Sequence, residues 1–282
     1  MDNITKENNP WPAKNLFRGM GVKSSSGDLG VFKADLHIHT CLSPCGDLDM
    51  SPRNIVQAAK EKELDMIAIT DHNSTRNVRA CVEIGRKSGL FVIPGCEVNT
   101  QEEVHCLCYF PDLEAMDKFQ QYLDEKMLNV KNDVDLFGYQ VAVDENDVIV
   151  YEEERSLYTG IQDDIESVQQ KVHSLGGIFV PAHIDRMKNG IYGQLGFIPF
   201  DLQYDALEIS SRTQPEDFLK QHPEIVLKKI LRSSDAHFLN HIASVHTNFE
   251  MDELNWVNFK NSFSYPSSEF RNPKSEIPNR NG

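Results

Sequence analysis

No stretch of the 282-residue chain runs apolar for the roughly 18 residues that a membrane-spanning helix needs. Its opening, Met1-Asp2-Asn3-Ile4-Thr5-Lys6, leads into no apolar segment of the kind that directs export. A cytoplasmic location away from membranes is expected. Positive charge is also short: 28 Lys and Arg stand against 43 Asp and Glu, a formal net charge of −15. Such a chain lacks the basic footprint that phosphate backbones demand, so stable duplex nucleic acid is not an expected partner. Six cysteines, at 41, 45, 81, 96, 106 and 108, are too sparse for a disulfide scaffold and read as reduced thiols.

What remains is an ordinary globular composition, 40% apolar and 25% charged, long enough for one large or two modest domains. Residues 1–30 are rich in Asn, Pro, Ser and Gly without periodicity and read as an N-terminal arm, and 265–282 read as a C-terminal tail. Between them, over 31–264, short aliphatic runs alternate with helical periods, the pattern of a parallel α/β fold. Strands are expected at 31–39, 65–70, 90–93, 104–110, 178–182, 206–209 and 229–233. A helix should begin at Ser51-Pro52, a second should run over 74–87 to Gly89, and a third should occupy 113–128. Residues 131–160 break the rhythm with a hairpin pattern between the fourth and fifth strands, either a lid or a surface excursion.

The chemistry gathers at the strand ends. His37 and His39, two apart on a strand, face the same way and can present two imidazoles to one cation. Ten histidines would give roughly a third of one such pair by chance, so the pair gains weight from its companions. His72, Glu97 and His183 each follow an aliphatic run, Asp235 and His237 follow another, and His105 opens its own run. Parity groups His105 with Leu107 and Tyr109 and turns Cys106 and Cys108 to the opposite face as packing residues. The carboxyl ends of strands in a closed parallel barrel share one face, where catalytic groups collect. Six His, one Glu and one Asp exceed the needs of one tetrahedral ion, so at least two ions are implied. Imidazole and carboxylate donors suit Zn, Mn or Fe, and Glu97, with two oxygens, is the natural bridge. Cys41 and Cys45 read as packing residues or as contacts behind the ligands.

The blocks Asp35-Leu36-His37-Ile38-His39-Thr40, Ile69-Thr70-Asp71-His72-Asn73, Pro94-Gly95-Cys96-Glu97, Val104-His105, Ala182-His183 and Ser234-Asp235-Ala236-His237 follow one another in order. Together they resemble the PHP family, named for polymerase and histidinol phosphatase. The resemblance spans about residues 33 to 240 and implies a distorted (β/α)7 barrel, two or three divalent ions and phosphoester hydrolysis. It implies His37, His39, Glu97, His105, His183 and Asp235 as ligands, with His72 and His237 serving a third ion. The family's usual Asp five residues beyond the pair is replaced by Pro44, so that either Asp47 or Asp49 serves after a loop shift or the third site is weak or filled differently.

The expected reaction is hydrolysis of a small phosphomonoester or short nucleotide phosphoester by a metal-bound hydroxide near Glu97. Arg186 is expected to grip phosphate, and His237 or His72, if free of metal, to protonate the leaving oxygen. Three alternatives compete. One is a nuclease acting on short oligonucleotides, another an amidohydrolase-type barrel, and the third a non-catalytic metal-binding regulatory module.

Overall fold

The computed structural model describes residues 29–225 and 229–264. The expected tail, and all of the expected arm except residues 29 and 30, lie outside the described residues.

Strand β1 (Gly30–Ile38) is followed by helix α1 (Pro52–Glu61), β2 (Met66–Ile69), α2 (Val78–Ser88), β3 (Phe91–Asn99) and β4 (His105–Tyr109). Helices α3 (Leu113–Lys126) and α4 (Val134–Phe137) lead to a hairpin of β5 (Val141–Val143) and β6 (Ile149–Glu152). Next come α5 (Ile165–Ser174), β7 (Ile178–Pro181), α6 (Ile191–Leu195), β8 (Ala206–Glu208), α7 (Pro215–Gln221) and β9 (Lys229–Leu231). Strand β10 (Thr247–Met251) and helix α8 (Trp256–Asn261) complete the described chain.

The result is an α/β fold around a curled, half-barrel sheet. Six strands are ordered β10-β1-β2-β3-β4-β7, and β8 and β9 form a separate parallel pair. Hydrogen bonds from Ile184 N to Glu208 O and from Asp205 N to Phe179 O join β7 to β8, each 2.9 Å. Beyond β9 the chain returns to β1 through His39 N to Ala236 O at 2.9 Å.

The strands are not all parallel, which corrects the sequence expectation. β4 runs antiparallel to both β3 and β7, and β10 runs antiparallel to β1. The cause is local: only residues 100–104 separate β3 from β4, enough for a reversal but too few for the crossover that parallel strands require. The reversal carries His105, the first residue of β4, to the end of the sheet where β3 finishes, with Asn99 paired opposite His105.

Local sequence explains the elements. Ser51 and Pro52 start α1, the serine side chain accepting from Asn54 N, and Asp112 caps α3 by accepting from Ala115 N. Gly89 ends α2 at φ 78°, a left-handed turn that a side chain would resist. Gly85 is needed for space, because a Cβ there would strike Val92 and the Leu90 carbonyl. The apolar faces of the sheet and helices merge into one core, with Leu36, Ile67, Val92, Leu107, Phe179 and Phe249 fully enclosed. Cys106 and Cys108 are buried in that core, in keeping with a packing role. No helix among the described residues is long and apolar enough to cross a membrane.

Gly85→Ala should destabilise the chain by about 1–3 kcal/mol through overpacking, read as a lower urea midpoint. An unchanged midpoint would mean that α2 can move off β3 without cost.

Candidate metal centre

His37 lies near the end of β1 and His39 directly follows its last residue, so the extended chain turns both toward one side, and both side chains are buried. Their protons can be assigned from their partners. His37 Nδ1 lies 3.0 Å from Glu208 Oε2, and an ionised carboxylate only accepts, so this nitrogen carries the hydrogen. His39 Nδ1 lies 3.0 Å from Ser43 Oγ. That hydroxyl spends its one proton on Asp71 Oδ1, 2.7 Å away, so it accepts from His39. Both rings are left with a bare Nε2.

These two nitrogens face each other at 3.1 Å. Each is also 3.3 Å from Glu97 Oε2 and 3.3 Å from Asp235 Oδ1. Donors around an ion at about 2.0–2.1 Å are spaced roughly 2.9–3.4 Å apart, from octahedral to tetrahedral geometry. Lone pairs that meet at this spacing with no hydrogen assigned between them repel unless a cation or additional protons intervene. The residues therefore fit a divalent ion.

Glu97 divides its oxygens as a bridge would. Oε2 serves the first group and also lies 3.1 Å from His72 Nδ1, while Oε1 lies 2.9 Å from His105 Nδ1 and 3.1 Å from His183 Nε2. Two sets of possible ligands thus share this residue: His37, His39 and Glu97, and His72, Glu97 and His105. The Nδ1 of His183 is buried and has no hydrogen-bond partner among the described residues. Two of these side chains sit on strained backbone, His183 at φ 27° and Asp235 at φ 52°, a cost of about 1–3 kcal/mol each that persists where the surrounding structure enforces it.

All eight sequence-predicted ligands come together around one cavity of about 180 Å³ or form its floor. Arg186 lines the same cavity, its Nη1 2.7 Å from Asp235 Oδ2. The ring of His237 donates through Nδ1 to the Asp235 carbonyl at 2.8 Å, which leaves its Nε2 with a lone pair. A neutral ring in that tautomer can ligate but has no Nε2 proton to give a leaving group. The environment agrees, since burial and the neighbouring His39 lower the pKa of His237 to about 4.

Sequence reasoning missed several contributors. Glu208, at the end of β8, orients His37 and also accepts from His183 N at 3.1 Å. Its signal was the strand-end rule already applied to Glu97. Asp71 organises the turn after β1 by accepting from Thr40 N, Thr40 Oγ1 and Ser43 Oγ. Asp35 ties the last motif to the first, accepting from Ser234 N at 3.0 Å and Ala243 N at 2.8 Å. Tyr158, from the insertion, and Asn99 and Asn189 line the cavity. Asp47 and Asp49 do not replace the carboxylate missing at Pro44: Asp47 caps its own turn by accepting from Asp49 N, and neither joins a ligand group among the described residues. The two neighbouring cysteines part company. Cys41 is buried beside Val141 and Val143, whereas Cys45 is exposed at the cavity and lies near His72 and His237.

The electrostatics say what fills the centre when no ion does. Burial opposes charge on His37, but Glu97, Glu208 and Asp235 outweigh it and raise its pKa well above the usual imidazole value. Burial likewise opposes charge on His39, and hydrogen bonds with Asp235 and Glu97 overcome it, raising the pKa to about 9. Protons thus compete with metal at pH 7. Zinc binding to the metal-free chain at pH 7 should release at least one proton, and affinity should climb with pH until about 9. Calorimetry in buffers of different ionisation enthalpy reads both, and a pH-independent affinity would contradict the assignment. Glu208→Gln should weaken zinc about 10–100-fold, the usual cost of losing a carboxylate behind a histidine ligand.

The chain is similar to several known proteins. The PHP domain family model matches residues 35–271. The uncharacterized protein YqxK of Bacillus subtilis is 23% identical over 261 residues, covering 80% of this chain and 60% of that protein. The 5'-3' exoribonuclease Rnm of Salmonella typhimurium is 40% identical over 88 residues, covering 30% of this chain and 29% of that protein. The chain therefore spans less than two thirds of the length of these relatives. Among solved structures, the lesion-specific endonuclease EndoQ of Pyrococcus furiosus shares the fold, with a TM-score of 0.61 and 20% identity over 82% of this chain and 55% of that one. A complex of Endonuclease Q with a 27-mer duplex carrying an abasic lesion gives a TM-score of 0.63 at 19% identity, with 83% and 56% coverage. The duplex in that complex belongs to Endonuclease Q, and the likeness to this chain is one of fold. With the family model matching residues 35–271, a span that takes in every motif from Asp35 to His237, the chain belongs to the PHP domain family.

Proposed function

We propose that the chain is a metal-dependent phosphoesterase that hydrolyses a small phosphomonoester or a short nucleotide phosphoester. The observation that carries this reading is the convergence of bare imidazole nitrogens and carboxylate oxygens on the floor of a cavity of only about 180 Å³. Two or three divalent ions, Zn, Mn or Fe, held by His37, His39, His72, Glu97, His105, His183, Asp235 and His237, would supply an acidified water and a positive clamp for phosphoryl oxygens.

The remaining work falls to the protein. Glu97 holds the two groups of ligands in register through its separate oxygens. Arg186, steadied by Asp235, offers its guanidinium to a phosphoryl group in the cavity. The tautomer of His237 suits binding and not proton donation, which argues against the expected acid role. Asn99 and Asn189 add polar side chains to the wall, each with its Nδ2 donating to a backbone carbonyl, of Tyr158 and Glu103 respectively.

The sheet is inferred to close as a distorted (β/α)7 barrel, supported by the bonds that run from β7 through β8 and from Ala236 back to β1. The 131–160 insertion acts in this reading as a fixed wall instead of a moving lid. Val143 N donates to Asn77 Oδ1 at 2.7 Å, and Arg53 pairs with Asp147. Asn73 Nδ2 donates to the Leu157 and Thr159 carbonyls, which fixes Tyr158 at the cavity. Six unpaired thiols support work in a reducing cytoplasm.

One observation favours a nuclease as the second reading. Tyr158 stacks on Phe137, centroids 5.6 Å apart, and Lys188 Nζ lies 5.3 Å from the Tyr158 centroid. An aromatic face beside a cation is a platform on which a base can stack.

Protein reconstituted with Mn, Zn or Fe should turn over p-nitrophenyl phosphate or a phosphorylated metabolite faster than dinucleotides, amides or lactones. Faster cleavage of dinucleotides would favour the nuclease, and amide or lactone hydrolysis alone would favour an amidohydrolase. His37→Ala and Asp235→Ala should each lower turnover by at least a thousandfold, roughly the span expected when a metal centre is lost, while circular dichroism stays near wild type. Full activity in either variant would refute the assignment, and inactivity on every substrate with metal bound would point to a regulatory module.

A further inference from the structure

A second cavity, of about 360 Å³, shares no lining residue with the metal centre; Lys33, Lys62, Asn240, Ser244 and His246 supply its polar side chains. Its lining runs against the composition of the chain. Acidic residues outnumber Lys and Arg by 43 to 28, yet two ammonium groups and no carboxylate line this cavity among the described residues. The carboxylates bonded to its wall are already occupied. Asp65 Oδ2 accepts from Lys33 N at 2.8 Å, and Asp35, fully buried, accepts from Ala243 N at 2.8 Å and Ser234 N at 3.0 Å. Lys62 prepares the wall for negative charge. Its Nζ donates to the carbonyls of Leu239, Asn240 and Ile242 at 3.3, 2.9 and 2.6 Å, so oxygens that would repel an anion face an ammonium instead. The side chains of Lys33, Asn240, Ser244 and His246 make no hydrogen bond among the described residues and are left to hold a ligand. Ala243, in the same wall, sits at φ 59°, left-handed backbone that an alanine adopts only where its surroundings enforce it.

We infer that this cavity binds a small phosphate-bearing metabolite and that its occupancy is felt at the metal centre. An oxyanion rich in acceptor oxygens matches two ammonium charges, a hydroxyl, an amide and an imidazole, and the volume leaves room beyond the phosphoryl group for an organic part. The connection to the centre is a short chain of bonded groups. Strand alternation sets Lys33, Asp35 and His37 on one face of β1. Asp35, in the middle, bonds through one oxygen to Ala243 N in the cavity wall and through the other to Ser234 N, next to Asp235. The loop that supplies the wall, 238–246, begins directly after His237. A ligand that fixes this loop therefore bears on the segment that aims Asp235 and His237, and by linkage an ion at the centre tightens the ligand in return. This inference goes beyond the metal-hydrolase reading and does not depend on it.

The test uses the full chain stripped by chelation, so that no ion at the centre draws phosphate. Calorimetric titration with inorganic phosphate and with ribose 5-phosphate, at fixed ionic strength, should show saturable binding of both. Lys33→Glu and His246→Gln should each weaken it by at least about tenfold, the scale of one lost charge-assisted contact. Arg186→Gln, in the other cavity, should bind as the wild type does. Hydrogen exchange at the amides of Ser234 and Ala243 should slow when ribose 5-phosphate is added to the wild type and stay unchanged in Lys33→Glu. Lys33→Gln, with a milder change at the same position, should bind between the two and guards against a folding defect. Absence of saturable binding, or binding lost in Arg186→Gln and kept in Lys33→Glu, would overturn the site. Binding without slower exchange at Ser234 would overturn its link to the metal centre. Phosphoester turnover by the metal-loaded protein is a separate readout, so failure of the proposed function and failure of this site are told apart.

Discussion

The structure depends on one electrostatic constraint. Bare imidazole nitrogens and carboxylate oxygens are held within 3.1–3.3 Å of one another in a region from which solvent is largely excluded. Such a cluster is repulsive by itself, and its carboxylates lose much of their hydration on burial. The protein therefore has a strong demand for positive charge at this point, for which protons and divalent ions compete. The depressed pKa of Glu97 and Asp235, held down against burial by the surrounding histidines, is the other face of that demand.

The scaffold enforces the crowding by spending its polar groups away from the centre. Glu208 and Ser43 each fix the far nitrogen of one histidine, so the near nitrogens have no choice of direction. Asp35, the first residue of the leading motif, anchors the segment that carries Asp235 and His237, roughly two hundred positions later in the chain. Left-handed backbone at His183 and Asp235 shows that the fold tolerates local cost to aim these side chains. Function and stability meet in these same hydrogen bonds.

Much of this was legible in the sequence because period and position are local signals. The turning of His37 and His39 to one side, the aliphatic runs before Glu97 and His183, and the caps at Ser51 and Gly89 all survive in the structure. Strand direction was not legible, since it is set by the length of a connection and not by the strand's own residues. The antiparallel β4 is the case in point: it explains how His105, at the start of a strand, reaches a site built from strand ends. Tertiary neighbours were equally hidden. Glu208 carried only the strand-end position it shares with Glu97, and Cys45 had no local feature to distinguish it from Cys41, which the fold buries against the inserted hairpin.

The most direct test of the account is anomalous diffraction from crystals soaked in Zn2+ or Mn2+ at a pH near that of maximal affinity. The account predicts a strong anomalous peak between His37 Nε2, His39 Nε2, Glu97 Oε2 and Asp235 Oδ1, and a second on the other oxygen of Glu97. A vacant centre after soaking, with the two histidines bridged to the carboxylates by protons alone, would contradict it.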